Sequence, residues 1–428
     1  MLYRKDFFSV IKLRGTNMFL SPEEKLLSLR KKYKITQGEL VGDDITRVFL
    51  GMIEIGKRSL TEKTAKLLCK NFHKILSEQG IKDKISLEEL MKTREQQAIE
   101  FLNNMLLSEI DISDDNLWII EEALYELAPK ERSEFCEKLY DRFKNRQRHL
   151  LAKEYLLKSF HGVRKIPNLK TKLRDIFFLC KELKDPECAV CTYRRFSSWL
   201  EKEKLNPETE ELKYSYAQAL IEMKEYDEAM GIARYLAKKT KNDSTLFIAR
   251  NLIARIYKEQ GNIEESVKEY TSLAKGRSSQ DKCITYCKVI KIGMELNDNE
   301  IIKKYYEKCK DNFGEHGEHN NPENLVVLFT LARAAKILGK IKDSKSYYME
   351  ALVIGRLIKG MEKERVTIIG ELFDVVDKSD FFSVQSIETE YSELLELTGD
   401  YKPAIKILNY YQNYLPDELP KKFQLFIK

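Results

Sequence analysis

The sequence predicts an all-α protein: a small N-terminal helix-turn-helix module followed by a right-handed α-solenoid of helical hairpins. Three observations predict it. Charged residues make up 33% of the 428 and apolar residues 43%, with only 18 Gly and 9 Pro, a composition of long helical arrays rather than of turn-rich sheets. Capping-box patterns stand ahead of helical apolar runs at Ser21–Glu24, Thr36–Glu39 and Ser86–Glu89. From about residue 208 a turn-plus-helix pattern repeats, and no strand-like alternating segment stands out anywhere. The divisions that follow are 1–19, an N-terminal extension; 20–80, the helix-turn-helix domain; 81–207, a linker helix and divergent helical repeats; and 208–428, the repeat domain with a C-terminal cap.

The first residues have no role in the module. Residues 1–17 read as a misassigned or disordered start, with translation from Met18, whose MFLSPEEKLL is a conventional opening, or else as a basic N-terminal arm. Ser21 then caps a helix with Pro22 in its first turn and Glu24 closing the box. This helix carries Leu26, Leu27, Leu29 and Arg30 ahead of Tyr33. Thr36–Glu39 opens the first helix of the motif, Gly42-Asp43-Asp44 makes the turn, and Thr46 caps the next helix, whose inward positions are Leu50 and Ile53. Gly56 stands at the usual C-terminal glycine position. A further helix starts at Thr61 and carries Ala65, Leu67, Leu68 and Phe72. Between Leu20 and Gly80 there are 12 Lys+Arg against 8 Asp+Glu. This local excess suits contact with phosphates, whereas the whole-chain net charge of +6 is too small for a general nucleic-acid binder.

Leu29-Arg30, Thr36-Gln37, Thr46-Arg47, Ile53-Glu54 and Gly56-Lys57-Arg58, in this order of helices, resemble the XRE/Cro-type repressor family over residues 20–76. The resemblance implies a DNA-binding set of Gln37, Thr46, Arg47, Val48, Gly51, Met52, Lys57 and Arg58. Gln37 would touch phosphate, Arg47, Val48, Gly51 and Met52 would face the major groove, and Lys57 and Arg58 would grip the backbone. Val48, Phe49 and Gly51 depart from the polar residues many relatives carry there, so readout leans on Arg47, thymine methyl contacts or DNA shape.

The middle region continues in helical period, with Leu117, Ile120, Ala123, Leu124 and Leu127 forming one stripe and turns at Ala128-Pro129-Lys130 and Lys165–Asn168. Four segments then stack at Ala229, Ser266, Ile302 and Ser344, separated by 37, 36 and 42 residues, near the tetratricopeptide period of about 34. Gly261 and Gly339 fall at inter-helix turns, and Ala217, Ala254 and Ala332 at the small position of the first helix. Tyr257, Tyr270, Tyr306 and Tyr348 supply the larger partners. A last unit has its turn at Gly399 and its small position at Ala404, while 360–395 reads as an irregular transition to the cap. Repeats of this kind present a concave face lined by their first helices. The register of the turn glycines puts Tyr214 and Gln218, Asn251 and Arg255, Cys287 and Lys291, and Phe329 and Arg333 on it. The column Gln218, Arg255, Lys291, Arg333 beside a more apolar one suits an extended short peptide with a carboxylate to pair; a solvated charged face is the alternative.

A Cro-type reader followed by tetratricopeptide repeats resembles the RRNPP family of peptide-responsive transcriptional regulators. The resemblance implies a cytoplasmic homodimer that binds double-stranded DNA through its paired readers and a short signalling peptide through its repeats. The peptide-binding set is then Tyr214, Gln218, Asn251, Arg255, Lys291, Phe329 and Arg333, with Asn251 matching the family's backbone-holding Asn. The mechanism implied is a population shift in which peptide binding changes the spacing of the two readers. A tetratricopeptide scaffold that controls, or is controlled by, a protein such as a response regulator is the alternative.

Other chemistry has little support. No phosphate-cradling glycine loop, Ser/His/Asp order or paired-carboxylate signature is present, so no enzyme, catalytic residue or cofactor is expected. Cys188–Cys191 is one CxxC pair without a second, with Cys180 and His161 as distant candidates, and Gly314–His319 is a loose His/Glu run; neither reads as a metal site. Cys283 and Cys287 read as buried structural thiols. No run is apolar enough to span a bilayer, and no secretory signal is visible, which gives the expectation of reduced thiols and no membrane.

Overall fold

The computed structural model describes residues 18–426 apart from 44, 109–111, 163–165 and 314–320. The fold is all-α, with no strand among the described residues, and the chain divides into two compact units, residues 1–189 and 190–428.

The first unit opens with α1 (Pro22–Lys32), α2 (Gln37–Val41), α3 (Arg47–Glu54), α4 (Glu62–Glu78) and α5 (Leu87–Met91). The boxes at Ser21 and Thr36 are formed reciprocally, and Thr46, Thr61 and Ser86 each accept the backbone N–H three residues on. Leu26, Leu40, Leu50, Ile53, Leu68 and Phe72 close one core. Lys25 lies buried beneath α1, its Nζ donating to the Glu89 carbonyl at 2.6 Å and the Lys92 carbonyl at 2.7 Å, which fastens α1 to the end of α5. Burial pushes this ammonium down to about 8, against the pull of Glu89 and with a small push from Lys92. There follow α6 (Arg94–Leu107), α7 (Leu117–Tyr125), α8 (Pro129–Asn145), α9 (His149–Lys158) and α10 (Leu169–Glu182).

The division between the units falls within α11 (Pro186–Leu200). The second unit continues with α12 (Pro207–Glu222), α13 (Tyr226–Lys239), α14 (Asp243–Glu259), α15 (Ile263–Ala274), α16 (Ser279–Leu296), α17 (Asn299–Phe313), α18 (Pro322–Ile337) and α19 (Ile341–Leu357). The region 360–395, expected to be irregular, is instead a regular pair, α20 (Glu362–Val375) and α21 (Phe381–Thr398), before α22 (Lys402–Tyr414) and α23 (Leu419–Phe426). Phe426 is buried against Tyr391, with ring centroids 5.6 Å apart.

The hairpins share one turn. Gln147, Lys184, Lys224, Gly261, Asn297 and Gly339 each adopt left-handed backbone, with φ from 53° to 80°. Each donates its N–H to the carbonyl three residues back, and the next N–H reaches five residues back, as in Gly261 to Lys258 (2.9 Å) and Asn262 to Tyr257 (2.8 Å). This double closure satisfies the last carbonyls of the first helix and turns the chain into the second. Because it recurs at Gln147 and Lys184, the hairpin pattern begins well before the periodicity that marks 208 in sequence.

Within each hairpin, residues twelve apart on the two helices are fully buried: Ala217 and Ala229, Ala254 and Ser266, Ile290 and Ile302, and Ala332 and Ser344. The Ser266 hydroxyl donates to the Ala254 carbonyl at 2.7 Å and that of Ser344 to the Ala332 carbonyl at 2.8 Å. The hairpin with two isoleucines makes room elsewhere. Gly293 faces Ile302 so closely that a Cβ there would lie 2.9 Å from Ile302 Cγ1. First helices of neighbouring hairpins approach closely, α12 with α14, α16 with α18 and α20 with α22, as the inner layer of a curved stack does.

Candidate functional site

Two groups of side chains stand out, one in each unit. The first is the exposed face of α3. Glu54, the only acidic residue on this helix, is turned inward and takes Arg30 Nη2 at 2.8 Å and Gln37 Nε2 at 2.8 Å. Burial alone would raise its carboxyl, but the hydrogen bonds from Arg30 and Gln37 and the Arg30 charge hold it below the usual carboxylate range. The same network ties the Gln37 amide into the α2–α3 contact instead of leaving it free. Gly51 lies opposite, where a Cβ would meet Gln37 Nε2 at 3.7 Å.

On the other side of α3, Arg47, Val48 and Met52 are exposed and Gly51 partly so. At 100° per residue these four span about 140° of the helix circumference. Lys57 and Arg58 follow, exposed, their N–H groups closing the helix end on the Met52 carbonyl. Among the described residues none of Arg47, Lys57 and Arg58 is held in an ion pair. Thr46 is occupied as the N-cap, accepting from the Phe49 N–H at 3.2 Å. Ile55, outside the set predicted from sequence, is 65% exposed and extends the apolar strip of Val48 (69%) and Met52 (39%).

The second group lies on the first helices of the array. Gln218 donates to the Tyr214 hydroxyl at 2.7 Å on α12. On α14, Asn251 donates to the Phe247 carbonyl at 2.9 Å, and its Oδ1 accepts from Lys288 Nζ of α16 at 2.5 Å. Lys288 is partly buried, with its ammonium 5.8 Å from the Tyr270 ring centroid. Burial, then the charges of Lys291 and Arg255, push it down to about 8. Burial raises the phenols of Tyr214 and Tyr270, the latter to about 12, and in both the Arg255 charge opposes the rise. Among the described residues no carboxylate pairs with Arg255, Lys288 or Lys291.

Two expectations about this face are corrected. Cys287 does not line it: the residue is 1% exposed, its Sγ lying 3.9 Å from that of Cys309 inside the hairpin. Its side chain points into the hairpin, and Lys288, one residue on, takes the place beside Asn251. Arg333 does face Phe329, its guanidinium 4.1 Å from the ring centroid, but it is ion-paired with Glu371 of the next hairpin (Nε to Oε2 2.8 Å). The Tyr348 hydroxyl donates to the same carboxylate at 2.7 Å. The cationic column therefore stops at Lys291, and the structure brings Asn251, Arg255, Lys288 and Lys291 together while placing Phe329 and Arg333 in a separate, neutralised network. Lys288 had one signal in the sequence, its spacing of 37 from Asn251, the same as Ala229 to Ser266.

Cys283, Cys287 and Cys309 are all buried and free. No group of three or more His, Cys, Asp or Glu is arranged to hold a metal among the described residues, and Gly314–His319 lies outside them. No helix among the described residues is long and apolar enough to cross a membrane.

Fold and site together define an all-helical protein whose second unit is a tetratricopeptide-like solenoid. The tetratricopeptide repeat family matches at residues 248–275, from mid-α14 to the end of α15. The chain is similar to the signal recognition particle subunit SRP72 of Homo sapiens, 26% identical over 174 residues, covering 39% of this chain and 26% of the human protein; the Canis lupus familiaris protein matches equally. The chain thus spans about a quarter of the length of the curated relatives it matches. Among solved structures, similarity is found to the APC/C hetero-tetramer Cut9–Hcn1 (14% identity, TM-score 0.36, 95% of this chain and 94% of that one). It is found also to BtubC from P. vanneervenii (13%, 0.35, 65% and 94%) and to Bacillus thuringiensis PlcR in complex with the peptide PapR7 and DNA (13%, 0.24, 95% and 99%). All three scores fall below 0.5.

Proposed function

We propose that this chain is a cytoplasmic, homodimeric, sequence-specific transcriptional regulator that contacts double-stranded DNA through α3 and is controlled by a short signalling peptide on the inner face of its repeats. One observation carries the DNA reading. The only negative charge on α3, Glu54, is neutralised inside by Arg30 and hydrogen-bonded by Gln37, while Arg47, Lys57 and Arg58 are exposed and, among the described residues, in no ion pair. Such a face is attractive to phosphate and bears an Arg for a guanine edge. Val48, Met52 and Ile55 supply apolar contact suited to thymine methyls. In this reading residues 20–80 act as the output domain and 208–428 as the sensor, and a change in the curvature of the array on peptide binding alters the spacing of the paired readers. No catalytic residue or cofactor is assigned.

The test is a gel shift of genomic fragments by the full-length protein, with and without pools of short synthetic peptides. A sequence-specific shift that peptide strengthens or weakens is expected; no specific shift in either condition overturns the DNA reading. A second reading, a repeat scaffold for a protein partner such as a response regulator, is favoured by the same exposed apolar strip of Val48, Met52 and Ile55. Loss of partner binding on Val48→Asp, with no specific DNA shift by the unaltered chain, would support it.

A further inference from the structure

None of the eight cysteines forms a disulfide, and most are buried. Cys287 and Cys309 come within 3.9 Å but lie inside the α16–α17 hairpin, away from solvent. The α10–α11 hairpin is different. Cys180 is buried near the end of α10, Cys188 is half-buried in the first turn of α11, and Cys191 is exposed one turn further on. Cys180 stands four residues before the left-handed Lys184 of the turn and Cys188 four residues after it.

The α16–α17 hairpin has the same turn, built on Asn297 with Gly293 and Ile301 at the two places. In both, the next residue is an Asp whose N–H closes on the earlier place: Asp185 on the Cys180 carbonyl and Asp298 on the Gly293 carbonyl, each at 2.8 Å. In both, the Asp Oδ1 accepts the N–H of the later place, Cys188 at 3.1 Å and Ile301 at 3.0 Å. With closure and cap alike, the span across one turn measures the span across the other. A Cβ on Gly293 would lie 3.0 Å from Ile301 Cγ2, and one further carbon–carbon bond puts the two Cβ positions at most about 4.5 Å apart. A disulfide needs Cβ atoms about 3.5–4.5 Å apart. Cys188 and Cys191, three apart on one helix, have Cβ atoms about 5–6 Å apart, too far for a bridge. Hydrogen bonding with Cys188, then burial, pushes the Cys180 thiol up, so the buried partner is the one that stays protonated.

We propose that Cys180 and Cys188 form an oxidant-sensitive dithiol whose substrate is a small hydroperoxide. Cys188, the more accessible of the two, reacts first. Its sulfur takes one peroxide oxygen as the O–O bond breaks, the other oxygen leaves as water, and Cys188 becomes a sulfenic acid. The Cys180 sulfur then bonds to the Cys188 sulfur, the S–O bond breaks, and the hydroxyl leaves with the Cys180 proton as a second water. Two thiols have lost two electrons and two protons, and the peroxide has become two waters. The product ties the end of α10 to the first turn of α11. Other hairpins with this turn lack the pair, with Leu220 and Glu228 or Ala335 and Asp343 at the same two places. This chemistry needs neither DNA nor peptide and stands apart from the function proposed above.

Reduced full-length protein is exposed to hydrogen peroxide at neutral pH, the remaining thiols are capped with iodoacetamide, and tryptic peptides are read by mass spectrometry without reduction. Trypsin cuts between the two cysteines, so the bridge joins peptide 175–181 to peptide 185–194, and dithiothreitol separates them. The joined pair should exceed any bridge at Cys283, Cys287 or Cys309 about tenfold or more. It should persist in Cys191→Ser and vanish in Cys188→Ser. A bridge within 185–194, a joined pair lost in Cys191→Ser, or a Cys188 that is overoxidised or still capped with no bridge overturns the proposal. Melting curves of the reduced variants guard against loss of fold. Should Cys188→Ser unfold, Cys180→Ala takes its place, with the joined pair absent and sulfenic acid trapped at Cys188 by dimedone.

Discussion

Replacing Lys288 by Met should stabilise the repeat unit, and the gain should vanish with rising pH. Met keeps most of the side-chain volume and removes the charge. In the fold the ammonium is held at about 8 against an ordinary 10.5, chiefly by burial. That displacement corresponds to a penalty of about 3 kcal/mol at neutral pH. The lost hydrogen bond to Asn251 returns about 1 kcal/mol of it, leaving a net gain of about 2 kcal/mol. The sign follows from linkage: below pH 8 both states are protonated and the folded state carries the whole penalty. Between 8 and 10.5 the folded state sheds its proton first, so wild-type stability climbs towards that of the variant. At pH 9.5 the advantage of Lys288→Met should be below about 1 kcal/mol. Lys25, also held at about 8 by burial, is present in both proteins and cancels in the difference. The Tyr270 phenol beside Lys288 is raised by burial to about 12, so it stays neutral across this range. The assay is urea unfolding of the two full-length proteins at pH 7 and pH 9.5. No gain at pH 7, or an equal gain at both, refutes the claim that a desolvated cation sits there.

Glu54→Ala strands Arg30 and Gln37 inside the first unit and should cost about 2–3 kcal/mol, read as faster hydrogen exchange in residues 20–80. Since the Glu54 carboxyl is held below its ordinary value despite burial, the contribution it makes is complete above the unfolded value of about 4.3 and lost as pH falls through the folded one. Gly293→Ala should destabilise the α16–α17 hairpin by about 1–3 kcal/mol, because the new methyl meets Ile302, and Ile302→Ala in the same chain should recover part of that loss in a double-mutant cycle. On DNA, Lys57→Ala should weaken binding alike on all sequences and lower the salt slope by about 1, whereas Arg47→Ala should cost about 1–3 kcal/mol on the preferred site and relax its sequence preference.

What the sequence showed of this fold depended on whether the information was local. Caps are local: Ser21, Thr36, Thr46 and Thr61 were each readable from four residues, and each accepts the N–H expected. The small positions of the array were also readable, since Ala254 and Ser266 or Ala332 and Ser344 recur twelve apart and are fully buried. The start of the hairpins was not. Glycine marks only two of the six shared turns, at Gly261 and Gly339, while Gln147, Lys184, Lys224 and Asn297 adopt the same left-handed backbone without announcing it. Ile302 was an anomaly at a small position until Gly293, nine residues earlier on the facing helix, appeared opposite it.

The candidate sites divide the same way, and the division bears on function. Which cations are already answered cannot be read from a column of Arg and Lys. Arg333 is neutralised by a carboxylate 38 residues on, and Gln37 is drawn inward by Glu54. Lys288, outside the set predicted from sequence, is a partly buried cation answered by an amide oxygen rather than by a carboxylate. A residue that lowers stability where its neighbours raise it breaks local consistency, and such breaks are expected where function constrains the sequence. The stability gain in Lys288→Met therefore reads whether this cation is penalised in the folded protein.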